Sequence, residues 1–97
     1  MRHEIILAPE ALRDLRRLRP NLRGEVRDAL ETHLRHEPTK VSRSRIKRLR
    51  GIARPQFRLR VGEVRVYYDV SHKRVEVLAI VSKDEADDWL TKEGKKS

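Results

Sequence analysis

The chain has no cysteine, which excludes both a disulfide framework and a thiolate metal site. No apolar stretch approaches the length of a membrane span, and the N-terminal residues lack the apolar run of a signal peptide. A cytoplasmic protein is expected. Internal repeats, low-complexity segments, a phosphate-binding glycine loop and a nucleophile motif are all missing. Hydrophobic residues make up 37% of the 97 residues and charged residues 40%. A chain of this length and composition is one domain, residues 1–97, with a thin core: one sheet and a few helices covering it.

What the chain has in excess is positive charge. Its formal net charge is +9, and the location of that charge is informative. Between Pro38 and Gly62 lie nine basic residues (Lys40, Arg43, Arg45, Lys47, Arg48, Arg50, Arg54, Arg58 and Arg60) and no Asp or Glu. The other fifteen Lys and Arg are balanced by the fifteen Asp and Glu. The whole excess therefore sits in one central segment, which argues for a polyanionic partner, either nucleic acid or an acidic protein segment. The plain alternative is a solvated basic loop.

Hydrophobic spacing supplies the elements. Residues 3–7 read as a first strand. After Pro9, well placed in a helical first turn, Ala11, Leu12, Leu15 and Leu18 recur at helical spacing. Pro20 and Asn21 interrupt the pattern. A second helix runs to about His36 with Leu22, Val26, Leu30 and Leu34, so the two form a helical hairpin. Arg45 to Arg50 reads as a short edge strand ended by Gly51. From Phe57 the period becomes two: Phe57, Leu59 and Val61 alternate with Arg58 and Arg60, and Val64, Val66, Tyr68 and Val70 alternate with Arg65, Tyr67 and Asp69. Ser71 to Arg74 is a turn. Residues 75–81 are mostly apolar on both faces, as in a covered central strand. Lys83 to about Glu93 forms a last helix capped by Ser82 and stopped by Gly94, with Trp89 and Leu90 seating it in the core. The Lys95-Lys96-Ser97 end is expected to fray. The class is α+β: an N-terminal helical hairpin on a small, mostly antiparallel sheet of four to five strands, with a short C-terminal helix.

Gly62-Glu63 suits a two-residue hairpin loop with Gly at the first central position, as a type II′ turn prefers. That choice sets the register: Val61 opposes Val64, Arg60 opposes Arg65, Leu59 opposes Val66 and Arg58 opposes Tyr67. One face is apolar and turned to the core. The other carries Arg58, Arg60, Arg65 and Tyr67. Like charges directly opposite each other destabilise a strand pair by a few tenths to about 1 kcal/mol, and an incoming phosphate or carboxylate relieves the repulsion. Tyr67 adds a ring on which a base can stack. The plain alternative has these arginines paired with Glu63, Asp69 or the last helix. His33 and His36, three apart on a helix, read as a surface pair without a third metal ligand.

The runs Lys47-Arg48-Leu49-Arg50-Gly51, Phe57-Arg58-Leu59-Arg60-Val61-Gly62, Val64-Arg65-Val66-Tyr67-Tyr68-Asp69-Val70 and Val75-Glu76-Val77-Leu78-Ala79-Ile80-Val81, in that order after two helices, resemble the RelE/ParE toxins of type II toxin–antitoxin systems. The resemblance covers nearly the whole chain and is most specific from Leu49 to Val81. It implies a RelE-like microbial RNase fold. RelE-type toxins cut mRNA in the ribosomal A site without a metal or other cofactor: the ribose 2′-OH attacks the adjacent phosphate while basic side chains stabilise the developing charge. The resemblance implies catalytic roles for Arg58, Arg60 and Arg65, and RNA contacts for Lys47, Arg48, Arg50, Tyr67 and Lys83. It implies two partners, a cognate antitoxin protein and mRNA on the ribosome, and no membrane. The family's Arg after the last strand and its Tyr about two helical turns later fall, without gaps, on Asp84 and Leu90, with Lys83 and Trp89 beside them. Three activities stay open: a metal-independent endoribonuclease acting on translated mRNA, a ParE-like inhibitor of DNA gyrase, and a weakened toxin fold that mainly binds its antitoxin.

Overall fold

The computed structural model describes residues 2–96. Its five-stranded sheet is built from β1 (Glu4–Leu7), β2 (Ile46–Arg48), β4 (Phe57–Val61), β5 (Val64–Ser71) and β6 (Arg74–Ser82), in the spatial order β1-β6-β5-β4-β2. Neighbours are antiparallel except β1 and β6, which run parallel. Helices α1 (Pro9–Arg17) and α2 (Pro20–Ala29) follow β1, and α3 (Lys83–Glu93) follows β6.

Proline explains the break between the first two helices. Leu18 and Arg19 are extended, as the residue before a proline prefers, and Pro20 opens α2 at a position that needs no N–H donor. Arg23 then reaches back from α2 and donates to the backbone oxygens of Leu15 (3.3 Å), Arg16 (3.1 Å) and Leu18 (2.9 Å), which satisfies carbonyls left open at the end of α1. The second helix extends as read, through one π-helical turn at Leu30–Leu34.

The helical hairpin covers one face of the sheet. Ala11, Leu15, Val26, Leu30 and Leu34 from the helices meet Ile46, Phe57, Leu59, Val66, Tyr68, Val75, Val77 and Ile80 from the strands. Phe57 and Tyr68 stack with ring centroids 5.5 Å apart, and the Tyr68 hydroxyl donates to the Pro38 carbonyl oxygen at 2.7 Å. That bond fixes the loop leading into β2. Tyr68's phenol is pushed up by burial. A register shift in the β5–β6 ladder, with Tyr67 opposite Ala79 but Tyr68 opposite Val77, inserts Leu78 as an extra residue. The bulge lets Val77 and Ile80 both join the helix-side core although they are three apart. β6 also outruns β1, whose Leu7 ends opposite Val77. There α1 takes over the edge, and the Ile80 N–H donates to Asp14 Oδ2 at 2.9 Å.

The hairpin forms in the register read from its turn, from Phe57 opposite Tyr68 to Val61 opposite Val64. Gly62 has φ +57° and Glu63 does not share the positive φ, as a type II′ loop requires. Two features differ from the sequence reading. Beyond Gly51 the chain makes a second short strand, β3 (Ile52–Arg54), and the expected frayed end is instead β7 (Lys95–Lys96), paired antiparallel with β3. The backbone hydrogen bonds of this small ladder hold Lys95 and Lys96 in place, and Ser97 lies outside the described residues.

Candidate functional site: the basic outer face of the hairpin

The second face of the sheet is where the arginines lie. Side chains directly opposite across a ladder share a face, so Lys47 (opposite Arg58), Arg58, Arg60 and Arg65 project together from β2, β4 and β5. None of these four makes an ion pair among the described residues. Asp69, one carboxylate available to neutralise them, is engaged elsewhere. It lies 3.5 Å from Arg54 Nε and accepts the Gln56 N–H at 2.7 Å.

The three arginines occupy different environments. Arg60 is exposed. Arg65 is only 8% exposed, and its Nη1 donates to the carbonyl oxygens of Gly62 (2.8 Å) and Val64 (3.1 Å). Folding back on its own turn fixes its guanidinium at the hairpin tip. Arg58 is half-buried, and its Nε is a buried donor without a partner among the described residues. Burial first, and then the charges of Arg65 and Arg60, hold the Arg58 guanidinium below its ordinary range, with Tyr67 opposing. An unsatisfied buried donor costs about 1–3 kcal/mol, and an anion at Arg58 would supply the missing acceptor.

Tyr67 does not fit the sequence reading. Its ring is 1% exposed and already stacked on Trp89 of α3, with centroids 5.0 Å apart and planes within 9°. The open stacking platform expected for a base is closed, because α3 lies back across this end of the face. Trp89 is pinned from the other side: its Nε1 donates to Glu10 Oε2 on α1 at 2.7 Å. Burial raises the Tyr67 phenol above its usual value, opposed by Arg58, so the hydroxyl stays protonated at neutral pH.

The remaining basic residues divide. Arg48, opposite Phe57, lies on the helix side of the sheet edge, its guanidinium carbon 4.9 Å from the Phe57 ring centroid. It is not grouped with the outer-face arginines. Arg50 is exposed in the bend after β2. Lys83 is exposed at the start of α3, and its N–H donates to the Glu63 carbonyl oxygen at 2.7 Å, which brings it to the hairpin tip. Asp84 is exposed in the first turn of α3 and Leu90 is half-buried. The element the sequence reading missed is the Glu10–Trp89–Tyr67 chain. Its only trace in the sequence was an aromatic among arginines on an otherwise polar strand face.

The protein-family model for the ParE toxin of type II toxin–antitoxin systems matches residues 5–87. Among solved structures, the chain is similar to the toxin–antitoxin complex RelBE2 from Mycobacterium tuberculosis, at 26% identity over 84% of this chain and 99% of that one, with a TM-score of 0.69. A free-state mutant of the Escherichia coli toxin RelE matches with a TM-score of 0.69 at 20% identity, over 92% of each chain. The RelE–RelB complex from Pyrococcus horikoshii matches with a TM-score of 0.64 at 24% identity, over 86% of this chain and 97% of that one. No curated protein sequence is significantly similar. The family match spans most of the chain and the shared fold covers the same elements, so this protein belongs to the ParE toxin family of type II toxin–antitoxin systems, within the RelE/ParE superfamily.

Proposed function

We propose that this type II toxin inhibits translation by cutting mRNA on the ribosome, with the outer face of the hairpin as its working surface. The observation that carries the reading is the cluster of Arg58, Arg60 and Arg65, unpaired by any carboxylate among the described residues, with a buried donor of Arg58 left open. When a ribose 2′-OH attacks the adjacent phosphate, negative charge builds on the non-bridging oxygens. Preorganised guanidinium groups in a partly desolvated site stabilise that charge. Arg65, fixed by the turn carbonyls, and Arg58, fixed by burial, hold the phosphate. Exposed Arg60 and Lys47 track the backbone.

The strip supplies charge stabilisation and no evident proton transfer. Arginine does not release a proton at neutral pH, the Tyr67 hydroxyl is buried under Trp89, and the resemblance, read without gaps, puts Asp84 and Leu90 where the family has its Arg and Tyr. General acid–base assistance contributes about 10²–10⁴-fold, so cutting slower by that order than in a relative with the full set is expected. The same lack supports a second reading, inhibition of DNA gyrase, which needs binding and no acid or base. In either case the partner that silences the toxin is a cognate antitoxin, as in the toxin–antitoxin complexes to which the fold is similar.

Primer extension on translated mRNA after induction separates the two. New 5′ ends within reading frames, lost in Arg60→Ala, support the nuclease. Intact mRNA together with inhibited supercoiling supports the gyrase reading.

A further inference from the structure

A second unusual surface adjoins the hairpin tip. Between α1, the start of α2, the hairpin tip and α3 is a cleft of about 540 Å³. Its walls are mainly apolar, from Leu18, Leu22, Val81 and Trp89. Five carboxylates also line it: Glu10, Asp14, Glu63, Glu85 and Asp88. In a chain of net charge +9, a third of the fifteen acidic residues therefore face one cleft. None of the five makes an ion pair among the described residues, although Arg17 and Lys92 line the same cleft.

The cleft is built and not merely acidic. Trp89 is held by its stack on Tyr67 and by Glu10 Oε2. Glu85 is held by Ser82, whose Oγ donates to Glu85 Oε1 at 3.0 Å and, as N-cap, accepts the Glu85 N–H at 3.3 Å. Asp14 is held by the Ile80 N–H, and desolvation raises its carboxyl above the usual range. An entering cation would favour the charged form. Side chains this fixed lose little freedom on binding.

We propose that this cleft receives a cationic, aliphatic segment of a partner protein. An Arg or Lys side chain enters among the carboxylates beside the Trp89 indole, and flanking aliphatic side chains cover Leu18, Leu22 and Val81. Charge complementarity selects the cation, and an indole beside it adds a cation–π contribution. The apolar walls select a protein segment over a free polyamine, which has no side chains to cover them. This site has the opposite charge preference to the hairpin face and does not depend on whether that face cuts RNA. One protein can thus engage a polyanion and a cationic segment on separate surfaces.

Trp89 is the single tryptophan, so its fluorescence reports on the cleft directly. The full chain is titrated at low salt with an amphipathic helical peptide carrying Arg at i and i+4 among leucines, with its citrulline analogue, and with spermidine, and calorimetry checks the affinities. A saturable change in Trp89 emission with the Arg peptide, at least about tenfold weaker with the citrulline analogue or with spermidine, is expected, since tenfold is one lost charge contact of moderate strength. Asp88→Asn, on an exposed helix position, and Asp14→Asn, which keeps an oxygen for the Ile80 N–H, should together weaken binding about tenfold with the melting midpoint retained. Non-specific attraction is disfavoured, because peptide and protein are both cationic overall.

Four results would each overturn the proposal: no saturable change, equal binding of the citrulline analogue, equal binding of spermidine, or a double variant that binds like the wild type. Sedimentation showing salt-sensitive self-association that occludes the cleft would also overturn it, by assigning the cleft to a second copy of this chain.

Discussion

The two faces of the hairpin share the same ten residues of ladder and have opposite fates. On the helix side Phe57, Leu59, Val66 and Tyr68 are all at most 4% exposed and pack into the core. On the other side Arg58, Arg60 and Arg65 stand together without a carboxylate partner among the described residues, and Tyr67 is covered by Trp89. The helix face holds the fold together by burial. The outer face works against it, through like charges opposite each other and a buried donor without a partner. An anion would relieve both costs, which is the ground for the proposal that this face is the working surface.

The largest separation between the faces comes from exchanging one residue on each. Leu59→Ala should cost about 3 kcal/mol, because a fully buried leucine leaves a cavity. Arg60→Ala should change stability by no more than about 0.5 kcal/mol and abolish growth arrest on induction. Thermal or urea unfolding measures the first effect, and inducible expression the second. Equal destabilisation by the two would break the comparison.

Next in size is the cover on Tyr67. Trp89→Ala removes the stack and the bond to Glu10 and should cost about 2 kcal/mol, read by unfolding monitored by circular dichroism. A negligible cost would mean that α3 is not a structural part of the outer face. Within that face, Arg65 and Arg58 should then behave oppositely. Arg65→Ala loses two charge-assisted bonds to the turn carbonyls and should cost about 1–2 kcal/mol. Arg58→Met removes a donor that has no acceptor and should be neutral or slightly stabilising. Both should lose toxicity. A destabilised Arg58→Met would show that its guanidinium is satisfied in solution.

The smallest effect is a titration away from both faces. His33 sits 2.9 Å from Arg45 Nη1, its Nε2 accepting in the neutral ring. Burial, then the Arg45 charge, lowers it from 6.5. A histidine that is harder to protonate when folded contributes stability that is full above its unfolded value and is lost as pH falls below about 6.5. Asp14 and Asp69, raised by burial, act in the opposite sense at lower pH. The difference in melting midpoint between wild type and His33→Gln, followed from about pH 7.5 to pH 5.5, should therefore narrow on acidification. A constant difference would remove His33 from the account.

The hairpin was legible in the sequence because its information is local. Gly62 sets the turn, the turn sets the register, and period-two alternation assigns Leu59 and Arg60 to opposite faces. The helices were legible for the same reason, through Pro9, Pro20 and leucines at helical spacing. What was not legible depends on residues far apart in the chain. Trp89 meets Glu10 across 79 positions, and that bond decides that Tyr67 is buried and not open. The β3–β7 ladder joins strands of three and two residues, too short to carry a pattern. Arg48 was expected to contact RNA together with Lys47, whereas its register opposite Phe57 places it on the other side of the sheet edge.

The central claim is that the outer face of the hairpin acts on translated mRNA. Primer extension of mRNA from cells expressing the wild type or Arg60→Ala, with unfolding curves run in parallel, tests it most directly. New 5′ ends within reading frames are expected for the wild type, and their loss in an Arg60→Ala protein that melts at the same temperature. Intact mRNA under wild-type growth arrest, or unchanged cutting by Arg60→Ala, would contradict it.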